Sequence, residues 1–252
     1  MNIFAFIPAR YDSTRFPGKP LALINGKPMI QHVYERSLCC AEISDTYVAT
    51  DHAGIFETVQ KFGGKAIMTS KEHRSGTDRI SEAAVALGVS GKDLIVNIQG
   101  DQPVFDPAMI SDLVAPFSRT GAAPMGTLKC RLLLQEDREN PNQVKVVTDK
   151  DGYALYFSRY PIPFVRDNAV GRSVHYKHLG FYAYRTEFLL QFTRLEPGIL
   201  ESAENLEQLR ALEHGFRIRV SETPYNSPEV DVPEDIARIE KALQDGAVRN
   251  HP

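Results

Sequence analysis

The first half of the chain alternates short runs dense in Ile, Val, Phe and Leu with stretches whose apolar residues recur at helical spacing. Asn2 to Ile7, Thr46 to Ala49 and Leu94 to Ile98 read as strands, and Pro28 to Leu38 and Ile55 to Phe62 as helices. Strands that are apolar along their whole length are covered on both faces, as in a parallel sheet flanked by helices. The pattern predicts a doubly wound, mostly parallel α/β sheet. From about Gly126 the rhythm changes: Val144 to Val147, Tyr153 to Phe157 and Phe181 to Tyr184 are short β-rich segments with little helix between them, which predicts an antiparallel lobe or extension. Helical patterns return at Glu204 to Glu213 and at Pro233 to Leu243, the latter with Pro at an early helical position. A length of 252 residues suits one large α/β domain with an appended lobe. We divide it into residues 1–129, a β-rich extension over 130–185, and closing helices over 186–252.

Composition narrows the function classes. Hydrophobic residues at 42 % and charged residues at 24 % are ordinary globular usage, which removes disordered and fibrous readings. Lys plus Arg is 29 and Asp plus Glu is 32, so 29 − 32 = −3, and no global positive field draws the chain to nucleic acid or to an anionic membrane. Any cationic site must be local. Cys39, Cys40 and Cys130 fit neither a disulfide framework nor a structural zinc site. No apolar run approaches the roughly 18 residues of a membrane span, and Met1-Asn2-Ile3-Phe4 lacks a basic signal-peptide start, so a cytoplasmic location is expected.

The strongest candidate chemistry follows the first strand, in Pro8-Ala9-Arg10-Tyr11-Asp12-Ser13-Thr14-Arg15-Phe16-Pro17-Gly18-Lys19-Pro20. In an open α/β sheet, ligands bind in the crevice beyond the carboxyl ends of the strands, and this loop leaves the first strand there. It carries Arg10, Arg15 and Lys19 within ten residues, two prolines that stiffen it, and Gly18, which lets backbone approach a ligand. Fixed cationic donors in such a turn suit triphosphate oxygens. The familiar phosphate loops are missing: there is no GxGxxG, and Gly26-Lys27 and Gly91-Lys92 are followed by Pro and Asp, so neither completes a Walker A sequence.

A second signal, Asn97-Ile98-Gln99-Gly100-Asp101-Gln102-Pro103, ends the central strand. An Asp where a buried strand meets the crevice, with a glycine before it, is a natural ligand for Mg²⁺ bridging phosphate oxygens. Asp231 is a second candidate carboxylate, although a residue two positions before Pro233 is also placed to cap a helix.

These strings occur in one order with others: SGTDR from Ser75 to Arg79, VKVV from Val144 to Val147, ALYFSR from Ala154 to Arg159, HLGFYAYR from His178 to Arg185 and LEQLRALEHG from Leu206 to Gly215. Together they resemble the 3-deoxy-manno-octulosonate cytidylyltransferases, the CMP-Kdo synthetases of lipopolysaccharide assembly, from Ile7 to about Ala242. The resemblance implies a fold of the nucleotide-diphospho-sugar transferase type, a homodimer built through the β-rich extension, Mg²⁺ dependence, and conversion of CTP and a sugar acid to CMP-sugar and pyrophosphate. It also implies roles. Pro8 and Ala9 line the nucleotide; Arg10, Ser13 and Lys19 hold the triphosphate with Arg15 in support; Ser75 and Arg79 lie by the cytosine. Asp101 and Asp231 hold Mg²⁺, and Gln99, Arg159, His178, Tyr182, Glu207 and Gln208 line the sugar pocket. Arg10, Lys19 and Asp101 are the expected catalytic residues.

Two departures from the family strings stand out. The usual QGDEP has Gln102 here, and the usual GVDTPED has become Glu229-Val230-Asp231-Val232-Pro233-Glu234-Asp235. QGDQP with SPEVD resembles a branch that activates 8-amino-3,8-dideoxy-manno-octulosonate, whose ammonium a pocket carboxylate such as Glu229 would suit. The competing readings are a cytidylyltransferase for another sugar acid, such as an N-acylneuraminate, and a non-catalytic nucleotide-sugar binder. The first should lack LEQLR and ALYFSR, and the second should have lost the metal carboxylates or phosphate cations.

Overall fold

The first apolar run forms strand β1, Ile3–Ala9, near the middle of a nine-stranded sheet. The computed structural model describes residues 1–12, 15–118, 123–166 and 175–245. A short hairpin of β2 (Leu23–Ile24) and β3 (Lys27–Pro28) leads into α1 (Met29–Leu38), β4 (Asp45–Thr50), α2 (Ala53–Lys61), β5 (Ala66–Met68), α3 (Gly76–Ala86) and β6 (Leu94–Asn97). Strands β6, β1, β4 and β5 lie side by side in parallel. The chain lays β4 and β5 on one side of β1 and then returns to place β6 on the other. That reversal leaves a crevice beyond the carboxyl ends of β1 and β6, where the two sequence signals emerge.

The second half joins its antiparallel strands partly to the main sheet and partly to an extension. After α4 (Ala108–Val114) come β7 (Met125–Arg131), α5 (Gln135–Glu139), β8 (Lys145–Thr148), β9 (Ala154–Ser158) and β10 (Tyr176–Arg185). β10 inserts into the main sheet, antiparallel to both β6 and β7. The remaining helices are α6 (Thr186–Phe192), α7 (Ile199–Glu204) and α8 (Leu209–Glu213), and β11 (Ile218–Glu222) then closes the far edge, parallel to β7. Among the described residues the β8–β9 hairpin is what projects, joined to β10 at Lys145 and Lys177. The physical reason lies in β10, which is buried at most of its positions and therefore needs cover on both faces.

One face of the sheet packs Ile7, Val48, Val96, Leu128 and Phe181 against α1, α2 and α4; the other packs Phe6, Ile95 and Tyr184 against α3, α6 and α8. A third cluster of Ile24, Met29, Val104, Val230 and Ile239 docks the last helix, α9 (Asp235–Asp245), beside the β2–β3 hairpin. Each such buried side chain contributes roughly 1.5–3 kcal/mol, enough to bring the distant segment before α9 back to the crevice. There the Val230 N–H donates to the Asp101 carbonyl at 3.0 Å.

Three local readings are corrected. The expected single helix over 204–213 is broken at Asn205, whose φ of 52° is left-handed, so Leu206 to Gln208 form a connector between α7 and α8. α9 starts at Asp235, leaving Pro233 ahead of it, and the Asp235 carboxylate, not Asp231, receives the N–H groups of Asp231 and Val232. SGTDR, read only as a binding string, opens a helix through a capping box in which Ser75 and Asp78 bond each other's backbone N–H.

Candidate active site

Three segments meet around Pro8, and two glycines make the approach possible. A side chain at Gly100 would press on the Pro8 carbonyl oxygen at 3.0 Å, and one at Gly76 would meet the Pro8 ring at 3.1 Å. The ends of β1 and β6 and the amino end of α3 thus pack at backbone distance. The loop after β1 is fixed by Gly18, at φ 73°, whose N–H donates to the Tyr11 carbonyl before a 3₁₀ turn over Lys19–Leu21.

This arrangement opens a cavity of about 390 Å³ lined by Pro8, Ala9, Arg10, Arg15, Lys19 and Asp101. Nη2 of Arg10 is buried there without a partner, and burial, reinforced by nearby Arg79, pushes the Arg10 pKa down. A buried cation with an unused donor calls for an anion. Lys19 Nζ reaches Asp101 Oδ2 at 2.7 Å and the Val230 carbonyl at 2.9 Å, which ties the first loop to both carboxylate-bearing segments. Arg15 donates to Asp231 Oδ1 at 2.9 Å. Ser13 lies outside the described residues.

A second cavity, of about 650 Å³, adjoins the first and shares Arg15, Gln99 and Asp101 with it. Its wall includes Arg159, Lys177, His178, Tyr182, Gln208 and Glu229. Tyr182 Oη donates to Gln208 Oε1 at 3.1 Å, leaving the buried Gln208 Nε2 unpartnered. Arg159 gives Nε to the Glu204 carbonyl and its two Nη atoms to Pro141 and Asn205, so among the described residues two of its five N–H groups have no partner. His178 is buried and its pKa is pushed down to about 3 by desolvation, with Lys177 adding to the effect; its ring is neutral.

Two expected site residues have partners away from these two cavities. Arg79 lines neither cavity: it is fully buried, with Nη2 on Asp51 Oδ2 at 2.6 Å and Nη1 on Thr69 Oγ1 at 2.5 Å. Ser75 is engaged in capping α3. Glu207 turns away from the larger cavity toward α3, where Thr77 Oγ1 donates to Oε2; burial raises its pKa against the pull of Thr77, Ser75 and Arg210. Its neighbours Leu206 and Gln208 do line the cavity.

Two residues gain weight from the structure. Lys177, not singled out from the sequence, holds a buried ammonium on the cavity wall with Asn226 Oδ1 at 3.4 Å. Its signal was a cation inside an otherwise aromatic and aliphatic strand. The two departures from the family strings touch: Gln102 Nε2 donates to Glu229 Oε1 at 3.0 Å. Burial raises the Glu229 pKa, opposed by Lys177 and reinforced by Asp101 and Asp231.

The carboxylates fit a hard divalent cation. Asp101 and Asp231 offer oxygen donors at the junction of the cavities, and two carboxylates completed by substrate phosphates and water are how Mg²⁺ is usually held. Among the described residues no group of three or more His, Cys, Asp or Glu side chains forms a metal cage.

A doubly wound sheet with a cationic loop and paired carboxylates at its switch point defines a nucleotidyltransferase-like site. Residues 4–219 match the family model described as cytidylyltransferase. The chain is 54 % identical over 242 residues to a 3-deoxy-manno-octulosonate cytidylyltransferase of Syntrophus aciditrophicus, covering 96 % of this chain and 97 % of that one. It is 52 % identical over 245 residues to an 8-amino-3,8-dideoxy-manno-octulosonate cytidylyltransferase of Shewanella amazonensis, covering 97 % of this chain and 99 % of that one. The structure of a CMP:2-keto-3-deoxy-manno-octonic acid synthetase complexed with CTP superposes with a TM-score of 0.90 at 40 % identity, over 98 % of this chain and all of that one. A 4-diphosphocytidyl-2C-methyl-D-erythritol synthase shares the fold at a TM-score of 0.63 and 12 % identity. The chain belongs to the cytidylyltransferase family, among the 3-deoxy-manno-octulosonate cytidylyltransferases.

Proposed function

We propose that this enzyme joins CMP from CTP to the anomeric hydroxyl of a 3-deoxy-octulosonate sugar acid, releasing pyrophosphate, and that its preferred acceptor is the 8-amino-3,8-dideoxy sugar. The observation that carries the reaction is the pair of adjoining cavities, one cationic and one mixed, meeting at Asp101. Asp101 and Asp231 would hold Mg²⁺, which when bound lowers the pKa of the attacking hydroxyl and neutralises charge on the α-phosphate. Arg10, with its unused buried donor, takes phosphate oxygens, and Lys19 keeps one of its three N–H groups for the leaving pyrophosphate. Arg159 or Lys177 takes the sugar carboxylate, while Gln99 and Gln208 meet hydroxyls. The hydroxyl oxygen gives up its proton to solvent and bonds to the α-phosphorus as the bond to pyrophosphate breaks; no side chain becomes covalently attached, so rate comes from positioning and charge.

Identity does not choose between the sugars, because relatives of both names stand near 50 %. The contact between Gln102 and Glu229 favours the amino sugar. Against the usual family strings, a carboxylate is lost at 102 and gained at 229, so the pocket has a relocated acid and not an added one. Glu229 is half-buried on the wall of the larger cavity, and an ammonium there would repay its desolvation better than a hydroxyl. Pyrophosphate release from CTP, offered either sugar in parallel, tests both statements. Equal kcat/KM for the two would remove the amino-sugar preference, and release with neither would remove the reaction.

The same reading places the enzyme as a homodimer in the cytoplasm, serving lipopolysaccharide assembly. No helix among the described residues is long and apolar enough to cross a membrane. Tyr160 and Phe164, 76 % and 85 % exposed on a segment stiffened by Pro161 and Pro163, cover none of the chain's own core and suit a two-fold contact. A monomer by sedimentation at micromolar concentration would overturn the dimer.

A further inference from the structure

β10 carries a bulge: its register against β7 shifts between Leu179 and Tyr182. Thr127 of β7 fills the irregularity. Its Oγ1 lies 3.1 Å from the Leu179 carbonyl, 2.8 Å from the Phe181 carbonyl and 2.9 Å from Nε2 of His178, all buried. A hydroxyl has one proton and two lone pairs, and carbonyl oxygens only accept. The proton must therefore point to the carbonyls, since turning it toward His178 would leave Phe181 facing a lone pair at contact distance. The His178 contact then runs the other way, from Nε2–H into Oγ1. Because the ring is neutral, Nδ1 carries no proton.

That nitrogen has no protein partner among the described residues, yet it is not among the side-chain atoms sealed from solvent without one. The ring lines the larger cavity, as do Tyr182 and Gln208. We propose that Thr127 is a positioning residue that fixes His178 as the Nε2–H tautomer, so that the ring presents the lone pair of Nδ1 to a donor group of the sugar. This rests on the reading of the larger cavity as the sugar site. His178 is thereby a hydrogen-bond acceptor for a hydroxyl or ammonium and takes no part as an acid or base.

The test is ¹⁵N NMR of the histidine-labelled full-length enzyme, with kinetics of two variants. In the free wild type the His178 signal should show a protonated Nε2 and a bare Nδ1 from about pH 5 to 8, and sugar binding should shift Nδ1. Thr127→Val should release the tautomer and lower kcat/KM for the sugar by roughly 2- to 13-fold, the factor for one neutral hydrogen bond, with KM for CTP unchanged. Thr127→Ser should restore both signals. A proton on Nδ1 in the free wild type would overturn the proposal, as would an altered tautomer in Thr127→Val with unaltered sugar kinetics. If the valine variant fails to fold, the wild-type spectrum and Thr127→Ser still decide. A wild type with the expected tautomer that turns over no octulosonate would instead defeat the sugar reading, and the ligand assignment with it.

Discussion

Replacing Arg79 with Met separates a buried structural ion pair from a nucleotide contact. The guanidinium is fully buried and gives Nη2 to Asp51 at 2.6 Å, Nη1 to Thr69 at 2.5 Å and, at 3.4 Å, to the Ser70 carbonyl. Methionine keeps much of the volume but leaves Asp51 without its cation. Removing one partner of a buried pair costs about 3–5 kcal/mol, and the Asp51 side chain is 18 % exposed, so the lower end, about 3 kcal/mol, applies. For a chain of this length each kcal/mol moves Tm by roughly 2–4 °C, predicting a fall of about 6–12 °C. Calorimetry gives Tm, and steady-state assays at temperatures well below it give kcat and KM for CTP. Adding Asp51→Leu should recover part of the loss, because an apolar pair can replace a buried ion pair at little cost. An unchanged Tm with KM for CTP raised about tenfold would refute the reasoning and return Arg79 to the cytosine.

Further outcomes follow from the same geometry. Asp101→Asn should keep the fold and lower turnover by at least about a hundredfold, through weaker metal placement and charge stabilisation; near-normal turnover in a folded variant would remove Asp101 from the metal site. Gln102→Glu combined with Glu229→Gly, which restores the usual family residue at those two positions, should shift the ratio of kcat/KM for the amino sugar over the hydroxy sugar by roughly 5- to 150-fold toward the latter; parallel pyrophosphate assays read the ratio, and no shift would discard Glu229. His178 is neutral in the fold down to about pH 3, whereas in the unfolded chain it takes up a proton below about 6.5. The unfolded state thus binds more protons in that window, and stability falls as pH drops from about 6.5 toward 3, by at most about 5 kcal/mol at roughly 1.4 kcal/mol per pH unit. Denaturant midpoints from pH 4 to 8 should slope less in His178→Gln; an identical slope would show that His178 is not the group.

Much of the molecule is written in local pattern. The runs at Asn2 to Ile7 and Leu94 to Ile98 are apolar at nearly every position, and hydrophobicity without alternation leaves a two-sided buried strand as the economical structure, so the parallel half and its crevice were legible. The cationic loop and Gly100-Asp101 were legible as well, because their spacing along the chain is also their spacing in space. What no local pattern contains is contact between distant segments. The insertion of β10 between β6 and β7 depends on sheet order, and the return of Asp231 to Arg15 and the meeting of Gln102 with Glu229 span 216 and 127 residues of sequence. Side-chain direction was hidden for the same reason. Arg79, Glu207 and His178 are polar residues in polar-looking strings, and whether each faces a ligand, a helix end or a buried threonine is decided by burial and by the partners packing supplies, a free-energy balance that exists only once the sheet has closed over them.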